Sequence, residues 1–295
     1  MALRVGWIGT GVMGRWMAGH VLKAGYPLTV NNIPKERAQP LLDEGAKFLS
    51  IPELVQNSDV VVTMVGFPHE LEEVIFSDQG VLKHINSGTY LIDHTTSSPS
   101  LSMKIAEEAA KKGVEAIDAP VSGGDAGAKA GQLAIMCGGN KQAFQKIKPI
   151  MEHYGSNVRL LGTAGVGQHS KLSNQIVLAG NMIGMVEGLL YGYKAGIDME
   201  QLVDLISTGA AGSVYFKAVA PKILKGDHSP GFYVQHFVKD IGLVLDECKR
   251  LKISLPGLSL VNQFYYSMIA HGEEKLGAHA LIKVLERLNN TQIGS

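Results

Sequence analysis

The chain has 295 residues and equal numbers of basic and acidic side chains, 27 of each, so it carries no formal net charge. That length favours two domains over one. The neutral balance, with no basic run longer than two residues, argues against nucleic acid or an anionic membrane surface as a partner.

Residues 3–8 read as a short buried strand. It runs straight into Gly9-Thr10-Gly11-Val12-Met13-Gly14, and a helical pattern follows to about Ala24. A G-x-G-x-x-G turn between strand and helix is the context of a dinucleotide site. Gly9 serves the tight turn, Gly11 the approach of backbone to a pyrophosphate, and Gly14 close helix–strand packing. The amides at the helix start and the helix dipole then face the phosphates. A strand beginning at residue 3 leaves no room for a signal or transit peptide. The expected location is cytoplasmic, and a processed mitochondrial form would give the same reading.

Further strands are expected at 28–31, 59–65, 89–93, 114–118, 132–137 and 157–161. Helical patterns lie between them at 34–44, 52–56, 70–76, 101–112 and 141–153. Ser50 and Glu53 are spaced as a capping box. Alternation of this kind, with continuous apolar strands, predicts a mostly parallel sheet covered on both faces. Near residue 163 the pattern changes. Beyond a glycine-rich joint at 163–167 the chain reads as helix at about 168–195, 198–208, 214–225, 234–251, 257–271 and 277–289. Gly196 and Gly212 sit where helices should stop. The stretch 176–193 is the most apolar, yet it carries Asn181, Glu187 and four glycines, which suits a buried helix better than a membrane span. The expectation is an α/β Rossmann domain over 1–163 and an all-helical domain over 164–295, joined by the long helix. A cleft is expected at the carboxyl ends of the strands, facing that helix.

Four stretches could carry chemistry. Asp118-Ala119-Pro120-Val121-Ser122-Gly123-Gly124 follows a strand. It reads either as an ordinary loop or as a hydroxyl and consecutive amides arranged to hold a carboxylate. Gly165-Val166-Gly167-Gln168-His169-Ser170-Lys171-Leu172-Ser173-Asn174 opens the long helix, with Lys171 and Asn174 on one face. Lys171 reads either as a surface lysine or as an acid–base group. An ammonium beside a nicotinamide that turns cationic gives up its proton more readily, which suits proton transfer near neutrality. Lys239-Asp240, in a helix after Pro230-Gly231-Phe232, reads as an isolated pair as a solvated face. Cys137 and Cys248 are far apart, as expected of small buried hydrophobes in a reducing compartment. The ten histidines lack metal-ligand spacing and no G-x-S-x-G elbow occurs, so neither a metal site nor serine catalysis is expected.

Together, in order and spacing along nearly the whole chain, Gly9–Gly14, Asp118–Gly124, the Gly165 to Asn174 segment and Lys239-Asp240 resemble the β-hydroxyacid dehydrogenases. Within that family the chain closely resembles the 3-hydroxyisobutyrate dehydrogenases and tartronate semialdehyde reductases. The resemblance implies metal-free hydride transfer between NAD or NADP and a small carboxylate-bearing hydroxy acid or semialdehyde, in a homodimer or homotetramer. It implies Lys171 as general acid or base, Asn174 beside it, and Ser122, Gly123 and Gly124 as the substrate-carboxylate loop. Cofactor contacts are implied at Gly9, Gly11, Val12, Met13, Gly14, Asn32, Val65, Thr96, Phe232 and Lys239. Two departures stand out. Members that favour NADP commonly read Asn-Arg-Thr after the second strand, whereas this chain reads Asn32-Ile33-Pro34. No carboxylate is there to repel a 2′-phosphate, which tilts the reading toward NADP. The segment 207–213 and the run Lys171-Leu172-Ser173-Asn174-Gln175 look more like tartronate semialdehyde reductases and plant hydroxyisobutyrate dehydrogenase-like proteins. Succinic semialdehyde stays among the candidate substrates. Two other readings remain: a non-catalytic dinucleotide-binding interaction module, and an imine reductase, where the lysine is usually replaced.

Overall fold

A computed structural model describes residues 2–294. The chain divides into two compact units, Met1–Lys171 and Leu172–Ser295. The expected joint at 163/164 lies eight residues earlier. The first turns of the long helix are bonded to the sheet and count with the first unit.

The first unit is built on nine strands: β1 (Val5–Ile8), β2 (Leu28–Asn31), β3 (Lys47–Phe48), β4 (Val60–Thr63), β5 (Tyr90–Asp93), β6 (Glu115–Asp118), β7 (Val121–Ser122), β8 (Leu133–Gly138) and β9 (Gly155–Gly162). Their order is β3-β2-β1-β4-β5-β6-β8-β7, with β9 on β8. Pairs from β3 through β6 are parallel. β8 runs antiparallel to β6 and β7 and parallel to β9. The chain moves outward from β1 to β3 and then returns to β4, so the order reverses beside the glycine turn, where ligands bind in doubly wound sheets. Strand residues alternate between two cores. Trp7, Val30, Val60, Val62, Ile92 and Ile117 join one, and Ile8, Val61 and Leu91 the other.

Helices α1 (Gly14–Lys23), α2 (Gln39–Asp43), α3 (Ile51–Gln56), α4 (Pro68–Phe76), α5 (Val81–His84), α6 (Pro99–Ala110), α7 (Gly124–Ala130) and α8 (Lys141–Met151) cover the sheet. Ser50 and Glu53 form the expected capping box on α3. The expected helix at 34–44 instead breaks into a 3-10 turn, Lys35–Ala38, followed by α2. Four short elements carried no periodic signal: β3, β7, α5 and α7.

The long helix α9 (Val166–Lys194) leads into the second unit, which holds α10 (Met199–Thr208), α11 (Val214–Leu224), α12 (Val234–Leu251), α13 (Pro256–Ala270) and α14 (Ile282–Leu288). A 3-10 turn, Ala278–Leu281, precedes α14. α9 is long and apolar enough, by length and composition alone, to cross a membrane. Its Leu172, Ala179, Met182, Met185, Val186 and Leu189 are buried in the core of the second unit, the setting of a core helix.

Candidate active site

The three glycines of the first turn are glycine for different reasons. Gly9 has φ +98°, and a Cβ there would lie 2.1 Å from the Met64 carbonyl oxygen. A Cβ on Gly14 would lie 2.0 Å from the Gly9 oxygen. The protein's own packing therefore demands both. Around Gly11 an added Cβ meets nothing within 4 Å, so packing demands no glycine there. A backbone that must approach a phosphate does. The turn is held by Trp7 Nε1, which donates to the Gly9 oxygen at 3.0 Å, and by Thr10 N, which donates to Asn32 Oδ1 at 2.8 Å. Asn32 Nδ2 donates in turn to the Pro34 oxygen. The Asn32 amide thus ties the glycine turn to the end of β2. Val12 is exposed, Met13 packs on the core and Ile33 is 91% exposed. Thr10 Oγ1 is buried without a partner among the described residues. These features fit a dinucleotide pyrophosphate.

Ile8, Thr63, Asp93 and Asp118 stand in register at the carboxyl edge of the sheet. Just beyond, Val65 N donates to Thr95 Oγ1 at 3.1 Å, which joins the loops after β4 and β5. Thr96 follows directly. Asp93 Oδ1 accepts from Thr63 Oγ1 at 2.8 Å and Thr95 N at 3.0 Å, while Oδ2 is buried without a partner among the described residues. Burial pushes this carboxyl up to about 7, helped by the nearby Asp118 charge and opposed by those donors. His94 is buried beside it. The Ala119 carbonyl, 2.6 Å from Nδ1, can only accept, so the ring hydrogen sits on Nδ1 and Nε2 accepts from the Tyr154 hydroxyl at 2.9 Å. Burial lowers its pKa to about 4. The ring stacks on Trp7, so one neutral cluster links the glycine turn to the segment after β6.

Asp118 ends β6 and accepts from Gly165 N at 2.8 Å and Gln168 N at 2.9 Å. Burial raises its carboxyl to about 6 against these and other backbone donors. Lys171, three residues beyond Gln168, is only 8% exposed, which removes the surface-lysine reading. Ser122 lies in β7, paired with Ala134 of β8. Gly123 and Gly124 follow with φ +134° and +64°, values that favour glycine. The segment is therefore a strand-to-helix corner rather than an ordinary loop.

The second unit carries its own chain of contacts. Asn174 Nδ2 donates to Gln175 Oε1 at 2.9 Å, and Gln175 Nε2 donates to Asp240 Oδ2. Asp240 Oδ1 is 2.9 Å from Lys239 Nζ. Asp240 is 2% exposed, so the pair is no solvated helix face. Phe232 packs on Phe237 in the same unit. Among the described residues no group of three or more His, Cys, Asp or Glu side chains could hold a metal ion.

The structure thus brings Gly9, Thr10, Asn32, Val65, Thr96 and the segment Asp118–Gly124 to one edge of the first unit, with Lys171 anchored nearby in chain. It ties Asn174 to Lys239 in the second. Asp93, Thr95, Gln168 and Gln175 were not singled out by sequence reasoning. Gln168 had one available signal, its i−3 spacing from Lys171.

A family model described as the NAD binding domain of 6-phosphogluconate dehydrogenase matches residues 4–162. A second, described as NAD-binding of NADP-dependent 3-hydroxyisobutyrate dehydrogenase, matches residues 165–285. The chain is 49% identical to a probable 3-hydroxyisobutyrate dehydrogenase-like 1, mitochondrial, of Arabidopsis thaliana, over 99% of this chain and 88% of that one. It is 33% identical to the 2-hydroxy-3-oxopropionate reductase of Escherichia coli, over 99% and 100%. A crystal structure of 3-hydroxyisobutyrate dehydrogenase from Salmonella typhimurium superposes with a TM-score of 0.88 at 29% identity, covering 96% of this chain and 99% of that one. With the glycine turn, the doubly wound sheet and the helical second unit, these matches establish that the chain belongs to the β-hydroxyacid dehydrogenase family and is an NAD(P)-dependent oxidoreductase.

Proposed function

We propose that the protein interconverts a small 3-hydroxy acid and its semialdehyde, with Lys171 as general acid and base. The observation that carries this reading is the burial of Lys171 in the first turns of α9. Those turns are bonded to the carboxyl end of β6, in the same unit as the glycine turn.

When bound, the nicotinamide cofactor supplies the hydride in reduction and accepts it in oxidation. Gly9, Gly11 and Gly14 would hold its pyrophosphate end, and Val12, Met13, Asn32, Val65, Thr96, Phe232 and Lys239 would make the further contacts. The Ser122–Gly124 corner holds the substrate carboxylate. In reduction Lys171 Nζ would donate a proton to the substrate oxygen as negative charge builds up there. In oxidation the neutral amine takes the hydroxyl proton as the C–H bond breaks. Asn174 orients the substrate or the lysine. Its own amide is held through Gln175 by Asp240. The same reading has the protein act as a homodimer or homotetramer, in the cytoplasm or as a processed mitochondrial form, without nucleic acid or membrane as partner. NADP is the favoured cofactor, because Asn32-Ile33 carries no carboxylate.

Lys171→Ala should lower turnover at least about a hundredfold, the scale of an acid–base group, while NAD(P)H binding measured by fluorescence persists. Near-normal turnover in that variant overturns the assignment. Kinetics with 3-hydroxyisobutyrate, glycerate, 4-hydroxybutyrate and the matching semialdehydes, each with both cofactors, ranks the substrates. Binding of cofactor without turnover of any of these would favour a non-catalytic module, and faster reduction of a cyclic imine an imine reductase.

A further inference from the structure

Gln168 has no exposed surface. Its Oε1 accepts from Ser97 N at 3.0 Å, and its Nε2 donates to the Thr95 oxygen at 2.7 Å. The two peptide groups it grips flank Thr96, so one side chain holds that loop on both sides. An amide is the uncharged group that offers both the acceptor and the donor this requires. A carboxylate would set an acceptor against the Thr95 oxygen and add charge beside Asp93 and Asp118.

The backbone of the same residue is gripped from below. Gln168 N and Gly165 N donate to the two carboxylate oxygens of Asp118. The seat is tight. A Cβ on Gly167 would lie 2.6 Å from Asp118 Oδ2, and one on Gly138 would lie 2.7 Å from Oδ1. The first turn of α9 is therefore fixed in height by Asp118 and in rotation by Gln168. Lys171 sits one turn further along the same face. An α-helix turns about 100° and rises about 1.5 Å per residue, so a small slip at this seat swings the ammonium well away from its bearing.

On the reading that Lys171 moves the proton, we infer that Gln168 is a positioning residue for it. Through its grip on the Thr95–Ser97 peptides, Gln168 sets Lys171 in register with the loop that carries Thr96, on the seat that Asp118 provides. Loss of this bracket should slow the chemical step more than it weakens cofactor binding.

The test compares Gln168→Met, Gln168→Glu and Lys171→Ala in the full chain. Misplacement of a reacting group by about 1 Å costs on the order of a hundredfold in rate. Gln168→Met, similar in length but without the hydrogen bonds, should lower kcat about ten- to a hundredfold and keep the NAD(P)H Kd within about threefold. The primary isotope effect with 4-deuterated NAD(P)H should rise as hydride transfer becomes limiting. Gln168→Glu, which keeps the acceptor and loses the donor once its carboxyl ionises, should show the same pattern at a pH high enough to ionise it. Should Gln168→Met fail to fold, Asp118→Asn replaces it, with the same expected split between kcat and Kd. A Gln168→Met protein with kcat and isotope effect near wild type, even if it melts earlier, overturns the inference. So does a loss of turnover that only follows the fraction folded. The two failures are separable. Near-normal turnover in Lys171→Ala sinks the lysine reading itself. An inactive Lys171→Ala beside a normal Gln168→Met sinks only the positioning role.

Discussion

Replacing each glycine of the first turn by alanine separates what the fold needs from what the cofactor needs. Gly14→Ala sets a methyl 2.0 Å from the Gly9 oxygen and 3.2 Å from Trp7 Nε1. That oxygen is backbone, already bonded by the indole N–H, and cannot step aside. Overpacking of this kind costs roughly 1–3 kcal/mol or more. For a unit of this size, about 2–4 °C of melting temperature goes with each kcal/mol, so the first unit should melt about 2–12 °C lower. Gly11→Ala meets nothing within 4 Å and needs no positive φ. Its effect on stability should be about zero to slightly favourable, because the unfolded chain loses freedom, worth about 0.4–1 kcal/mol. On the proposed cofactor placement, the methyl nonetheless stands where backbone must approach the pyrophosphate. We expect NAD(P)H affinity to fall at least about tenfold, or about 1.4 kcal/mol. Differential scanning calorimetry and fluorescence titration on both variants measure the two effects. A Gly11→Ala protein that binds cofactor like wild type, or a Gly14→Ala protein of unchanged melting temperature, refutes the division of roles.

Three more outcomes follow from the same geometry. The Asp93 carboxyl is raised from 3.8 to about 7 in the native state, so its stabilising effect is complete below the unfolded value and is lost as pH rises through about 7. That loss is roughly 2–3 kcal/mol between about pH 5 and 8. Asp93→Asn removes the titration, so urea unfolding should show the variant gaining on wild type over that window, and a difference that stays flat with pH counts against a neutral Asp93. Asp240→Ala releases Gln175 and leaves Lys239 without its carboxylate. Steady-state kinetics should then show kcat falling about tenfold or more, within the range of losing hydrogen bonds to a charged group; unchanged kcat would mean that the orientation of Asn174 does not matter. Ile33 is 91% exposed beside the glycine turn, and Ile33→Arg offers a phosphate a charge-assisted pair. Titration should show NADP tightening about tenfold with NAD nearly unchanged, and equal changes for both cofactors would place the 2′-phosphate elsewhere.

Much of the fold was legible because it rests on periodicity and local chemistry. β2 and α12 fall on the expected residues, and α9 ends two residues before Gly196, which has φ +73°. β7 and α7 were not legible. β7 is two residues long and exists only because β8 turns antiparallel beside β6. The glycine turn was read from motif spacing, and Lys171 and Asn174 were singled out by the family resemblance. The groups that hold them were not, because Asp118 reaches Gly165 across 47 residues and Gln168 reaches Thr95 across 73. No local pattern records such pairings.

By itself, then, the amino-acid sequence determined where strands and helices alternate, where the chain changes to all helix, and that a dinucleotide turn follows β1. These depend on hydrophobic period, on glycine stereochemistry and on caps within a few residues. The tertiary structure decided which buried groups surround the named ones: the Asp118 seat, the Gln168 bracket and the Asp240–Gln175–Asn174 chain. It also decided that Lys171 and Asp240 are buried rather than solvated. Burial and long-range hydrogen bonds arise only when distant segments pack, and that packing carries no periodicity of its own.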